Sequence, residues 1–257
     1  AGKGFQRVVI GLGLGVAVWA GLLFYGDTSA ILAASATLAP TVLLTSLFFS
    51  TLNYFIRAYR WQKLLERVGV QLPPGESTIV CLAGLSMTLT PMKLGEILKS
   101  VLLKQSRGIS IATTAPVVMA ERITDLAAMV LLASIGSLAL DQGAWVAIVG
   151  GGFVLGILAV CTVRPVGNAV LWFCEQLPVI KDRTSSLRDA YDNLGTLVSI
   201  GPFLGATLLG LFAWATHCIA LLVLVRGFEN IDFSVAESFF AYATPLLAGT
   251  LSMLPGG

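Results

Sequence analysis

Charge is what this 257-residue chain has least of. Lys, Arg, Asp and Glu supply 12% of it, about half the share usual in a globular protein, while hydrophobic residues supply 56% and mean hydropathy is +0.86. That balance marks an integral membrane protein, and the net charge of +2, without any basic and aromatic stripe, gives no support for a nucleic-acid partner. Histidine is almost missing: His217 stands alone inside an apolar run and reads as a packed residue, not a proton relay. The four cysteines, Cys81, Cys161, Cys174 and Cys218, are scattered without C-x-x-C spacing, which points to buried thiols and away from disulfides or metal ligands. No G-x-x-x-x-G-K-[ST], H-E-x-x-H or nucleophile elbow occurs. ATP coupling within the chain and familiar hydrolytic chemistry are therefore unsupported, and no cofactor is expected. Gly11 and Gly15 follow no strand, so they read as close helix packing and not as a nucleotide loop.

What is present is a series of continuous apolar runs that lack the alternation of barrel strands. They predict an all-α polytopic membrane protein, a single transmembrane domain over residues 1–257. The expected spans are Val8–Tyr25, Thr41–Ala58, Ile111–Leu140, Trp145–Val163, Pro202–Val225 and Ser234–Leu254. Glu76–Pro91 is shorter than the ~20 residues a crossing needs and reads as a re-entrant or half helix. Between Arg164 and Ile200 a polar–apolar mixture reads as a cytoplasmic loop carrying an amphipathic interfacial helix. With these spans, fourteen of the sixteen Lys and Arg residues fall on one side, which the positive-inside rule makes cytoplasmic. The N-terminus lies on that side too.

Two apolar stretches break alike. One runs from Glu76-Ser77 to Pro91-Met92-Lys93-Leu94-Gly95-Glu96; the other runs from Glu237-Ser238 to Pro255-Gly256-Gly257. Pro removes a backbone donor and Gly permits turns that other residues resist. Broken backbone at membrane depth survives only in protein or beside a wet cavity. The first stretch starts from the cytoplasmic side and the second from outside, which predicts an inverted repeat with two re-entrant or broken helices. Repeat one covers about residues 41–140 and repeat two about 202–257.

The pieces Arg57-Ala58-Tyr59-Arg60-Trp61 with Leu64-Leu65 and Gly69, Pro91 through Gly95-Glu96, Gly108-Ile109, Glu121-Arg122 with Asp125, and the closing Pro255-Gly256-Gly257 occur in order. Across them, from Tyr54 onward, the chain resembles the transmembrane, flippase-like region of lysylphosphatidylglycerol synthase and its stand-alone relatives. Met92-Lys93 departs from the small or glycine residue usual after the first proline. The family typically continues past the second Pro-Gly-Gly with an acidic residue and further helices, so the native chain is expected to run beyond Gly257. The resemblance implies a lipid-handling protein of a bacterial or archaeal inner membrane, partnered by membrane lipids, and not a synthase, since no aminoacyl-transferase domain is present here.

Candidate substrate-binding residues follow. Arg57 and Arg60 could hold a lipid phosphate in guanidinium forks, or else, with Trp61, anchor a helix at the interface. Glu96 could face a cavity if Gly95 turns the chain, or be a solvated interfacial glutamate. Glu121, Arg122 and Asp125 share one side of a helix at spacings of three and four, and charge inside an apolar helix points to function. Pro91, Gly95, Pro255, Gly256 and Gly257 shape the two breaks. The expected function is movement of a polar-headgroup lipid between leaflets. The alternatives are an intramembrane enzyme acting on a lipid-linked substrate, with Glu96 or Glu121 as acid or base, and an ion-coupled carrier of small solutes.

Overall fold

The computed structural model describes residues 20–21, 33, 36–86, 96–141, 144–175, 184–228 and 231–252. The run Val8–Tyr25, save Ala20 and Gly21, lies outside the described residues, as do Pro91, Gly95, Pro255, Gly256 and Gly257. Among the described residues there is no strand, and nine helices can be followed: α1 Pro40–Arg67, α2 Pro74–Ser86, α3 Leu98–Arg107, α4 Ile111–Ala139, α5 Trp145–Thr162, α6 Arg164–Glu175, α7 Thr184–Leu197, α8 Ile200–Arg226 and α9 Val235–Ser252.

Local chemistry sets the boundaries. α1 and α2 both open on proline, whose missing N–H has no partner in a first turn anyway. α1 closes through Gly69, at φ 78°, with the Val70 N–H reaching back to the Leu65 carbonyl. α3 closes on Gly108 at φ 70°, also in the left-handed region. Ser110 then starts α4 by accepting a hydrogen bond from the Thr113 N–H at 3.1 Å. α9 begins with a reciprocal cap: the Glu237 N–H donates to Ser234 Oγ at 3.1 Å, and the Ser234 N–H donates to Glu237 Oε2 at 2.7 Å.

α1, α4 and α8 form the centre. α8 lies along α1 in the most extensive interface, and α4 touches α3, α5, α7, α8 and α9. One apolar cluster gathers around Trp61, Leu65, Leu103 and Val117; a second gathers around Met129, Val146, Trp214 and Cys218. Where α4 meets α9, the backbones touch. A Cβ on Gly136 would lie 2.7 Å from the Phe240 nitrogen and 2.8 Å from the Ala236 oxygen.

The outside of this bundle is apolar, and its inside holds charge. Leu44 and Phe48 on α1, Ile148 and Leu155 on α5, and Ile200 and Leu208 on α8 are all exposed, whereas Asn53, Glu96, Lys99, Glu121 and Asp125 are buried. Water would penalise both choices; hydrocarbon favours them. α5 and α8 each have the length and apolarity to cross a bilayer. The expected span Ile111–Leu140 is one helix, but it carries Glu121, Arg122 and Asp125. The expected span Thr41–Ala58 continues as helix to Arg67 and includes Arg57. The segment read as a loop with one amphipathic helix holds two helices, α6 and α7. α7 is packed onto α4, and Leu197 and Val198 at its end are buried in the core.

Candidate functional site

Seven charged side chains meet between α1, α3 and α4. Arg57 and Arg60 sit three residues apart on α1, so they share a face. Glu121, Arg122 and Asp125 occupy the middle of α4, with Asp125 about 21 Å along it from Ile111 at 1.5 Å per residue. Glu96 stands on the short turn that leads into α3, and Lys99 on the first turn of α3 itself. All but Arg122 are buried; the Arg122 side chain keeps 22% of its surface.

Asp125 is the hub. Its Oδ1 accepts from Arg60 Nη2 at 2.6 Å and from the indole Nε1 of Trp214 on α8 at 2.9 Å. Its Oδ2 accepts from Arg122 Nη2 at 3.1 Å and lies 3.6 Å from Arg57 Nη2. Glu96 is shared as well: its Oε2 is 2.7 Å from Arg122 Nη2 and 3.9 Å from Lys99 Nζ, and its Oε1 is 3.9 Å from Arg57 Nη2. Lys99 Nζ donates to Glu121 Oε2 at 2.8 Å, while the other oxygen of Glu121 is 4.0 Å from Arg60. Two tryptophans complete the walls. The Lys99 ammonium lies 4.8 Å from the Trp61 ring centre, and the Arg57 guanidinium lies 5.3 Å from that of Trp214.

Glycines admit two of these cations. A Cβ on Gly84 of α2 would overlap the aliphatic stem of Lys99, and one on Gly210 of α8 would come 2.5 Å from Arg60 Nη1. The long cationic side chains therefore reach the centre through notches in the neighbouring helices.

Four cations face three carboxylates, a formal surplus of one positive charge. Among the described residues Arg57 Nε, Arg60 Nε and Nη1, and Arg122 Nε have no hydrogen-bond acceptor, and neither has Trp61 Nε1. Buried donors left open are costly, and a planar oxyanion or phosphate is the group that guanidinium forks match best. Glu96 and Glu121 also keep oxygens without a hydrogen-bond donor. The carboxylates are thus ion-paired but not saturated, and several pairings lie within 4 Å of one another. Such a network can exchange partners with small side-chain movements.

Of the expected site residues, the structure brings together Arg57, Arg60, Glu96, Glu121, Arg122 and Asp125. Burial removes the reading of Arg57, Arg60 and Trp61 as interfacial anchors and of Glu96 as a solvated glutamate. Lys99 and Trp214 were not among the candidates. Lys99 is one lysine in a basic segment, and Trp214 is one aromatic in an apolar run; only tertiary packing distinguishes them. His217 sits half-buried with its ring edge-to-face with those of Tyr54, Trp214 and Tyr242, at centroid distances of 6.2, 5.9 and 5.6 Å. Cys81, Cys161 and Cys218 are free and buried, and the described residues contain no group of acidic, His or Cys side chains arranged to hold a metal ion.

No curated protein and no solved structure matches the chain. The family model for the lysylphosphatidylglycerol synthase TM region does, over residues 8–257. A helical membrane bundle carrying charge in its core, matched along almost its whole length, belongs to the family of the lysylphosphatidylglycerol synthase transmembrane region.

Proposed function

We propose that this protein moves a polar-headgroup lipid between the leaflets of the membrane, with the network of Arg57, Arg60, Glu96, Lys99, Glu121, Arg122 and Asp125 as the site the headgroup visits. The observation that carries the reading is a buried, exchangeable ion-pair network with a cationic surplus and open guanidinium donors. Charge this deep in a membrane bundle is expensive and calls for a function. A phosphate would occupy donors of Arg57 or Arg60. Asp125 and Glu121, released from them, would still have Arg122 and Lys99 within reach.

The inverted repeat belongs to the same proposal. Glu76 and Glu237 are each the third residue of their helix, α2 and α9, and each is followed by a buried serine, Ser77 and Ser238. The long helices that precede them, α1 and α8, are the two that share the most extensive interface. Those likenesses suit a pair of half helices related by an axis in the membrane plane.

The test is movement of a labelled phospholipid across vesicles containing the purified protein. Glu96→Gln, which removes a carboxylate shared by three cations, should lower the rate about ten-fold while the protein stays folded, and the lipid recovered should be chemically identical to the lipid supplied. A protein-dependent modified lipid, lost in Glu96→Gln, would overturn transport in favour of intramembrane chemistry.

A further inference from the structure

A second site opens on the flank of the bundle. Between the last turns of α1 and the first turns of α8 lies a groove of about 630 Å³, lined by Tyr59, Arg60, Lys63, Arg67, Gly201 and Gly205 among others. Its rim carries Lys63 and Arg67 with the single carboxylate of Glu66, which pairs with Lys63 at 2.9 Å. Arg60, only 1% exposed, forms part of its wall with Nε and Nη1 lacking an acceptor among the described residues.

The glycines on the α8 side differ from those at the helix contacts. Gly84, Gly136 and Gly210 are each pressed by a neighbouring side chain or backbone, so their lack of a Cβ serves packing. Gly201 and Gly205, one turn apart, face open space: a Cβ at either would meet nothing within 4 Å. Gly151, Gly152 and Gly156 on α5 face open space as well, so what sets Gly201 and Gly205 apart is the groove they line beside Lys63 and Arg67. The room suits a bound molecule.

We propose that this groove holds an anionic phospholipid. Its phosphate would sit at Lys63 and Arg67, beside the buried Arg60 side chain, and its chains would follow the apolar faces at Ile200, Leu204 and Leu208, which are exposed on the same helix. The spacing of Gly201 and Gly205 would also suit a second copy of the chain, but that contact would bring two basic rims face to face. Arg60 belongs both to the groove and to the buried network, where its Nη2 holds Asp125. A phosphate moving from the groove into the network would have to displace the Arg60 side chain. That consequence rests on the transport reading; binding in the groove does not.

The experiment captures lipid without measuring transport. The protein is placed in phosphatidylcholine nanodiscs containing a trace of photoreactive phosphatidic acid or photoreactive phosphatidylcholine, irradiated and digested. Phosphatidic acid should label residues 59–67 and 201–209 about ten-fold more than phosphatidylcholine does, since each basic residue near an anionic lipid contributes roughly 1 kcal/mol. Free inorganic phosphate in millimolar excess should not compete. Lys63→Glu with Arg67→Glu should erase the preference, and Gly205→Leu, whose side chain meets no protein atom at its base, should erase the labelling, both with unchanged thermal unfolding. Equal labelling by the two lipids would overturn the proposal, and so would competition by inorganic phosphate or full labelling of Gly205→Leu. So would a dimer that Gly205→Leu converts to monomer, which would assign the groove to a second copy. Capture that persists in a protein with no transport would leave the groove standing and remove the transport reading.

Discussion

Lys99 shows how much one side chain holds in place. Its ammonium is buried against Trp61, donates to Glu121 and lies within 4 Å of Glu96. Removing one member of a buried ion pair leaves its partner uncompensated, at about 3–5 kcal/mol. Lys99→Met should therefore lower the thermal midpoint and the yield of folded protein in detergent, and the double variant Lys99→Met with Glu121→Gln should recover most of the loss. A Lys99→Met protein as stable as the parent would show that water enters the network and screens it. Arg122 is the contrasting case. It keeps 22% of its side-chain surface, so Arg122→Ala should cost less than Lys99→Met in the same assay.

At the scale of single elements, α4 organises the bundle because it packs on both of its ends and in its middle. Its second half approaches α9 so closely that Gly136 has backbone, not side chain, as its neighbour. Backbone cannot swing aside as a flexible side chain can. Gly136→Ala should consequently separate α4 from α9 and destabilise the protein by roughly 1–3 kcal/mol, read as a drop in thermal midpoint. Gly152→Ala, whose Cβ would meet nothing within 4 Å, should leave stability level or slightly raised.

Elements and site were legible in the sequence to different depths. Glu121, Arg122 and Asp125 declared themselves because charge at helical spacing inside an apolar run is too costly to stand there unpaired. Arg57 and Arg60 were visible as candidates, yet their position at the end of an apolar run equally suits interfacial anchors. What decides is burial, and burial depends on α8, which lies against them from a distant part of the chain. The pairs Lys99–Glu121 and Trp214–Asp125 span 22 and 89 residues, and no local periodicity encodes such distances. The two helices of the segment after Arg164 were half seen, since amphipathic pattern shows that a helix has an apolar face but not which neighbour will cover it. The basic groove was not seen at all. Nothing local marks Gly201 and Gly205, and only their place in the groove gives them meaning.

For the molecule as a whole, the spans expected from the sequence place most Lys and Arg on one side, and that direction across the membrane can be tested. Single-cysteine labelling in a background without the four native cysteines should find Lys63 and Arg183 accessible from the cytoplasm and Asp27 and Asp141 from outside. Accessibility of Arg67 and Glu229 from one and the same side would exclude the inverted repeat.

On the proposed transport function, the surplus positive charge among Arg57, Arg60, Lys99 and Arg122 has a bearing on the cell's energy supply. A passage wide enough for a lipid headgroup would ordinarily let hydronium and sodium follow it, short-circuiting the gradients a membrane exists to keep. Fixed guanidinium charge in a narrow polar passage repels small cations, as it does in channels that must stay proton-tight. Vesicles containing the protein should hold an imposed proton gradient nearly as long as empty ones, and those with Arg60→Gln together with Arg57→Gln should lose it faster. The network would then serve as insulation between turnovers, keeping the membrane electrically sealed around its own lipid path.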